Sequence, residues 1–219
     1  MKQRAIIICG LVLAWGAVRA AAPHTIEHNL VPLDKVAPPA LPEVRYATRY
    51  NFTGEKLYPF PRLWLHRRTC RALSAVQSDL RKAGYGLKVF DAYRPLAIQW
   101  MMWNLIQDER YVSNPSQNRG RHTRGTAVDV TLVDATGREV PMPSDFDDFT
   151  DKAHRDYAGG TAAQRANRQI LAAAMARRGF IPYPFEWWHF DLRGWEQFPV
   201  LDISLEELAR GTKTTVPAP

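Results

Sequence analysis

The run Ala127-Val128-Asp129-Val130-Thr131-Leu132-Val133 constrains the fold more than any other segment. Its β-branched and apolar residues predict a strand, with Val128, Val130 and Leu132 on one face and Asp129, Thr131 and Val133 on the other. A carboxylate among such neighbours is costly to bury unless it is paired or bound to a metal. Two arrangements satisfy that rule. Asp129 lies on the wet face of a half-buried strand beside an arginine, or it is sunk into the fold and neutralised there by a cation. The strand alone does not choose between them.

The rest of the chain supplies helices and further strands. Leu65, Thr69, Leu73, Val76 and Leu80 recur at helical spacing, and Gly84 and Gly86 end that helix. Leu87 to Ala92 reads as a strand. Arg94-Pro95 then turns the chain into a second helix, with Pro95 in its first turn. The Trp100-Met101-Met102-Trp103 cluster on that helix reads as core packing. Thr161 and Gln164 form a capping box that opens an alanine-rich helix, which Gly179 closes. Pro182 and Pro184 prevent its continuation. Glu186 to Asp191 predicts a short aromatic strand, and Ser204 to Arg210 a last short helix. No internal repeat and no regular βαβ rhythm is visible in 219 residues, which favours one α+β domain over residues 43–210.

The ends read differently. Lys2 and Arg4 precede an almost unbroken apolar stretch from Ala5 to Val18, followed by small residues through Ala22. That stretch is shorter than the ~20 residues needed to span a bilayer, so residues 1–22 are expected to be a cleaved signal peptide and not a stable membrane anchor. Cys9 lies too early, and after Ile8, for a lipid-attachment site. The expected location is therefore exported and periplasmic. Residues 23–42, rich in proline, are expected to form an extended N-terminal arm, and residues 211–219 a disordered tail. Removal of Lys2, Arg4 and Arg19 lowers the formal charge from +7 to +4. The remaining basic residues form no stripe interleaved with aromatics, which argues against nucleic acid as a partner. Cys70 alone remains after cleavage, excluding an intramolecular disulfide and a thiolate metal site. It reads as a small core residue on a helix.

Two segments carry the chemistry. His122 sits in a loop seven residues before Asp129, and Phe185-Glu186-Trp187-Trp188-His189-Phe190-Asp191 places a carboxylate and an imidazole three apart among large rings. In a straight strand, positions three apart face opposite ways. Glu186 and His189 reach one region only if Glu186 lies at a bend after Pro184. Together the segments offer two imidazoles and a carboxylate, a set typical of catalytic zinc with its fourth position open to water. Zinc lowers the pKa of such a water towards ~7, and a nearby carboxylate takes its proton. Glu186 suits that base, being close to a ligand without having to be one. Arg94, at the end of a strand, suits an oxyanion donor, although spacing alone favours a salt bridge to Asp91.

These segments resemble the D-alanyl-D-alanine dipeptidases, zinc peptidases of the vancomycin-resistance and cell-wall-turnover type, related to D-Ala-D-Ala carboxypeptidases and the hedgehog signalling domain. The resemblance runs from Val44 to Asp191 in the family's order. It comprises Tyr46-Ala47-Thr48 with Asn51-Phe52-Thr53-Gly54, Asp91-Ala92-Tyr93-Arg94-Pro95, His122 through Asp129, Pro141-Met142 to Phe146-Asp147, Asn167-Arg168, and Glu186-Trp187-Trp188-His189. It implies a small α+β domain with a mainly antiparallel sheet flanked by helices. It also implies one zinc ion per chain on His122, Asp129 and His189, with Glu186 as general base and Arg94 polarising the scissile carbonyl. Asp147 and Tyr46 match positions that meet the free amine of a D-amino-acid dipeptide. A carboxylate facing an ammonium rewards a free N-terminus.

One departure stands out. The family has a serine two residues before the first histidine, where this chain has Gly120 between Arg119 and Arg121. One of these arginines is expected to contact the substrate carboxylate instead. His24 and His28 are expected to be solvated, His66 to start a helix, and His154 to pair with a carboxylate. The alternatives to a dipeptidase are a D,D-carboxypeptidase acting on peptidoglycan stem peptides and a non-catalytic, zinc-stabilised module that binds cell-wall peptides.

Overall fold

The computed structural model describes residues 24–25, 28–117, 120–211 and 215–216. In chain order the elements are β1 (His24–Thr25), β2 (Leu30–Pro32), β3 (Leu41–Pro42), β4 (Trp64–His66), α1 (Arg67–Lys82), β5 (Gly86–Asp91), α2 (Leu96–Leu105), β6 (Ala127–Val133), α3 (Ala162–Arg177), β7 (Phe180–Pro182), β8 (His189–Leu192), α4 (Leu205–Arg210) and β9 (Thr215–Val216). The main sheet has five strands in the order β3-β5-β6-β8-β7. Its β3–β5 pair is parallel and all others are antiparallel. This is the α+β fold expected, a mainly antiparallel sheet flanked by helices. Among the described residues, no helix is long and apolar enough to cross a membrane.

β6 lies in the middle of this sheet and is buried along its whole length. The wet-face arrangement of Asp129 is therefore excluded, because both faces of β6 are covered. α1 and α3 contact each other and the sheet. α1 buries Leu73, Val76 and Leu80 along one stripe, and Cys70 is a buried free thiol on the same helix. His66 starts α1 as its N-cap, its side chain accepting from the Arg68 amide. The Thr161–Gln164 capping box at α3 is present, and Ser204 caps α4 in the same way.

Several boundaries differ from the sequence expectations. Residues 28–42 are extended apart from a 3-10 turn at Leu33–Lys35, yet they pack into the domain. Leu30–Pro32 pairs with β4, Leu41–Pro42 lies alongside β5, and Leu30, Leu33, Val36 and Ala40 enter the core. Prolines are tolerated there because β3 is an edge strand. Thr215–Val216, in the expected tail, pairs with β1. The expected signal peptide and the remaining tail residues lie outside the described residues. Pro95 stands at the N-cap of α2, in extended conformation, and not within its first turn. The core packing expected of Trp100-Met101-Met102-Trp103 on α2 holds only in part. Gln99 and Met102 are buried while Trp100, Met101 and Leu105 are exposed. The strand expected from Glu186 begins only at His189, and Trp187 and Trp188 form a buried turn before it.

Candidate active site

Three neighbouring strands present one row of polar side chains. Asp91 on β5 pairs in register with Asp129 on β6, and Asp129 with His189 on β8. Directly opposed residues share a face, so all three project from the same side of the sheet. Asp91 reaches that side through a bulge. Val89 is opposite Val130 and Asp91 is opposite Asp129, leaving Phe90 as the extra residue on β5. Without it, Asp91 would share the face of Val89.

His122 arrives from the 3-10 turn His122–Arg124 that precedes β6. Gly125 closes this turn at φ 67°, and a Cβ there would come within 2.5 Å of Leu30 and 2.9 Å of the His66 amide nitrogen. Only glycine fits that position. His122 Nε2 lies 3.2 Å from His189 Nδ1 and 3.4 Å from Asp129 Oδ2. His189 Nδ1 lies 3.0 Å from Asp129 Oδ1. The outward-facing nitrogens have partners of their own. His122 Nδ1 is 2.6 Å from the Ala92 carbonyl oxygen, and His189 Nε2 is 2.9 Å from Asp191 Oδ1. Both partners are acceptors, so these nitrogens carry the protons and the inward nitrogens carry lone pairs.

That assignment tests whether a metal fits. Two lone pairs and a carboxylate converge within 4.8 Å of one another in a buried cluster, and Asp129 Oδ1 has no hydrogen-bond donor. Such a group can hold a cation at its centre. Burial by itself would lower the pKa of His189, but Asp191 and Asp129 raise it to about 10. Burial likewise would raise Asp129, yet His122 and His189 hold it well below the usual carboxylate range. These opposite shifts are those of imidazoles and carboxylates paired in the metal-free chain; as a donor set, two imidazoles with a carboxylate suit zinc.

Glu186 lies at the bend after Pro184, as its proximity to His189 requires. Its Oε2 is 3.7 Å from His189 Nδ1. The bend is clamped by Arg155, which donates from Nε to the Tyr183 carbonyl and from Nη2 to the His189 carbonyl. The Trp187 amide donates to Ala153 O. Burial pushes the Glu186 carboxyl well up, with Asp129 and Asp147 adding to the shift and His189 and Arg94 opposing it. Arg94 makes the salt bridge to Asp91 that spacing favoured. Its Nε and Nη2 donate to Asp91 Oδ2 at 3.1 and 2.7 Å, and its guanidinium also lines the pocket. Nη1 donates to Gln99 Oε1 at 2.8 Å, and Tyr58 donates to Asp91 Oδ1 at 2.6 Å.

Across the pocket, Asp147 adopts φ 63°, a left-handed conformation that a residue with a side chain seldom holds. Its carboxylate accepts from the Tyr46 hydroxyl at 3.1 Å and the Phe52 amide at 3.4 Å. Burial, with Asp129 nearby, raises it to about 8. Phe52, Tyr111, Phe149 and Trp188 wall this end. Arg121 also lines the pocket, with its Nε 3.1 Å from Asp191 Oδ2. Gly120 has φ 70°, and a Cβ there would lie 3.3 Å from Gln99 Cδ, so Gln99 occupies the space that a side chain would use. Arg119 lies outside the described residues. His154 stands apart from the cluster. It bonds the Tyr111 hydroxyl at 3.1 Å and lies 3.8 Å from Asp151, the carboxylate partner expected of it.

Sequence reasoning missed Asp191, Gln99, Tyr58 and Arg155. A signal existed for Asp191, since it stands two residues after His189 on one strand and so shares its face. No spacing rule pointed to the other three.

Comparison with known proteins agrees with this geometry. The family model described as D-ala-D-ala dipeptidase matches residues 26–201. A D-alanyl-D-alanine dipeptidase of Escherichia coli is 35% identical over 173 residues, covering 79% of this chain and 89% of its own length. Those of Enterococcus faecium and Streptomyces coelicolor are each 32% identical, covering 76% and 69% of this chain and 92% and 85% of their own. With a buried cluster that could hold a metal at its centre and a family match over most of its length, the chain belongs to the D-alanyl-D-alanine dipeptidase family of metallopeptidases.

Proposed function

We propose that the protein hydrolyses D-Ala-D-Ala to two D-alanines with a zinc ion held by His122, Asp129 and His189. One observation carries the reading. A buried cluster that can hold a cation lies beside a buried carboxylate, Glu186, that takes no place in it. When bound, zinc supplies the Lewis acidity that makes water a nucleophile near neutral pH. Glu186 accepts a proton from the attacking water and delivers it to the leaving amine as the C–N bond breaks. Arg94, its fork fixed by Asp91 and Gln99, donates to the carbonyl oxygen as negative charge develops there. Asp147 and Tyr46 hold the free ammonium, and Arg121 faces the substrate carboxylate at the opposite end. The aromatic wall beside Asp147 leaves little room for a longer peptide. Residues 1–22 direct export, and the mature enzyme works in the periplasm. Cell fractionation with N-terminal sequencing tests that part.

The test of the activity is to incubate the zinc-loaded protein with D-Ala-D-Ala and with an N-acylated tripeptide ending in D-Ala-D-Ala, and to measure released D-alanine. Release from the dipeptide alone is expected. Release chiefly from the tripeptide makes the protein a D,D-carboxypeptidase. No release from either, with zinc retained, makes it a binding module.

A further inference from the structure

His189 does not end the polar chain at the metal cluster. Asp191 leaves the same face of β8 two residues further on, and its Oδ1 accepts the Nε2 proton of His189 at 2.9 Å. Its other oxygen, Oδ2, lies 3.1 Å from Arg121 Nε. The Arg121 guanidinium packs on two rings, 4.8 Å from the centroid of Tyr183 and 5.2 Å from that of Trp195. Asp191 is buried.

This arrangement has a physical purpose for each member. A buried carboxylate beside an imidazole is held in place by the guanidinium on its other oxygen. An ionised Asp191 keeps the proton on His189 Nε2, which leaves Nδ1 as the lone-pair donor facing Asp129 and raises its basicity. A guanidinium on a long, flexible stem would otherwise swing into solvent. The two aromatic faces hold it against Asp191.

We propose that Arg121 is a positioning residue of the metal centre, acting through Asp191 to fix the orientation and tautomer of His189, in addition to lining the substrate pocket. The inference rests on the His122–Asp129–His189 metal site proposed above.

The experiment measures zinc affinity by competition with a chromophoric chelator for the full chain and its Arg121→Met, Arg121→Lys, Asp191→Asn and Arg121→Met/Asp191→Asn variants. The thermal unfolding of each metal-free protein serves as the folding control. Arg121→Met and Asp191→Asn are expected to weaken zinc binding about 10- to 100-fold, the usual cost of losing a partner behind a metal ligand. The double variant should lose less than the two single losses multiplied together, because both act on the same histidine. Arg121→Lys, which keeps the charge, should recover part of the affinity. An Arg121→Met protein that raises KM but binds zinc within twofold of the parent would make Arg121 a substrate contact only and overturn the inference. Should Arg121→Met fail to fold, unchanged zinc affinity in Asp191→Asn overturns it equally. If the parent itself holds no zinc, the metal-site reading falls and this inference with it.

Discussion

Asp129 and His189 stand directly opposite each other on adjacent antiparallel strands, their Oδ1 and Nδ1 atoms 3.0 Å apart. With the outer nitrogen of His189 bound to Asp191, its inner nitrogen turns to Asp129. A proton can fill that gap in the metal-free chain, and a metal ion would take its place, from which the predictions below follow.

Removal of the metal should loosen the protein as well as silence it. Chelation is expected to lower the melting temperature, and added zinc to restore it together with activity. A ligand at a thousand times its Kd stabilises by about 4 kcal/mol. Calorimetry of the chelated and reloaded protein checks this. An unchanged melting temperature would place the ion elsewhere.

Glu186→Gln should keep zinc at one per chain and lower kcat by about 10²–10⁴-fold, the range for a lost general base. KM should change little. Zinc analysis and steady-state kinetics on the same preparation check it, and a variant with near-parental kcat would remove Glu186 from the base role.

Asp91 is fully buried between Arg94 and Tyr58. Asp91→Ala strands the Arg94 charge and should cost about 3–5 kcal/mol. Tyr58→Phe removes one charge-assisted hydrogen bond and should cost about 1.5–3 kcal/mol. Urea unfolding orders the two. A reversed order would mean that Arg94 finds another partner.

Asp147→Asn should reduce kcat/KM for the free dipeptide by roughly 10- to 100-fold, the worth of one charge-assisted contact to an ammonium. N-acylated peptides, which offer no ammonium, should be unaffected. Equal losses on both substrates would assign Asp147 to packing.

The same residue sets a pH dependence in the metal-free protein. Asp147 holds its proton up to about 8 in the folded chain, against an ordinary value of 3.8. Between those values the unfolded chain has released a proton that the folded chain retains, so this carboxyl makes stability fall as pH rises from about 4 to 8. Glu186, also raised, acts in the same direction. In Asp147→Asn the fall should be shallower, with the variant gaining on the parent at pH 8 and not at pH 4. Denaturant midpoints across that window test it, and parallel curves would refute the assignment.

Local pattern was enough for much of the fold. Helical spacing located α1, alternation located β6, and the Thr161–Gln164 box opened α3. Each of these rests on side chains a few residues apart, which sequence displays directly. The arm was harder to read. Leu30, Leu33, Val36 and Ala40 are apolar without periodicity, and their burial depends on β4 and β5, which they meet only across the fold.

The residues of the candidate metal cluster were legible for a similar reason. A carboxylate in the middle of Ala127–Val133 and a Glu and His among tryptophans are costly unless they have a use, and sequence alone shows that cost. What it does not carry is register. The bulge at Phe90 turns Asp91 to the face of Asp129, where it anchors Arg94, and strand pairing alone decides that. Tertiary packing likewise presses Gln99 into the space beside Gly120 and turns Arg121 towards Asp191. The strand that carries Asp129 therefore announced by itself that a buried charge needed a partner. Which atoms surround that charge depended on strands and loops that sequence order keeps far apart, because long-range register is a property of the folded sheet and not of any one segment.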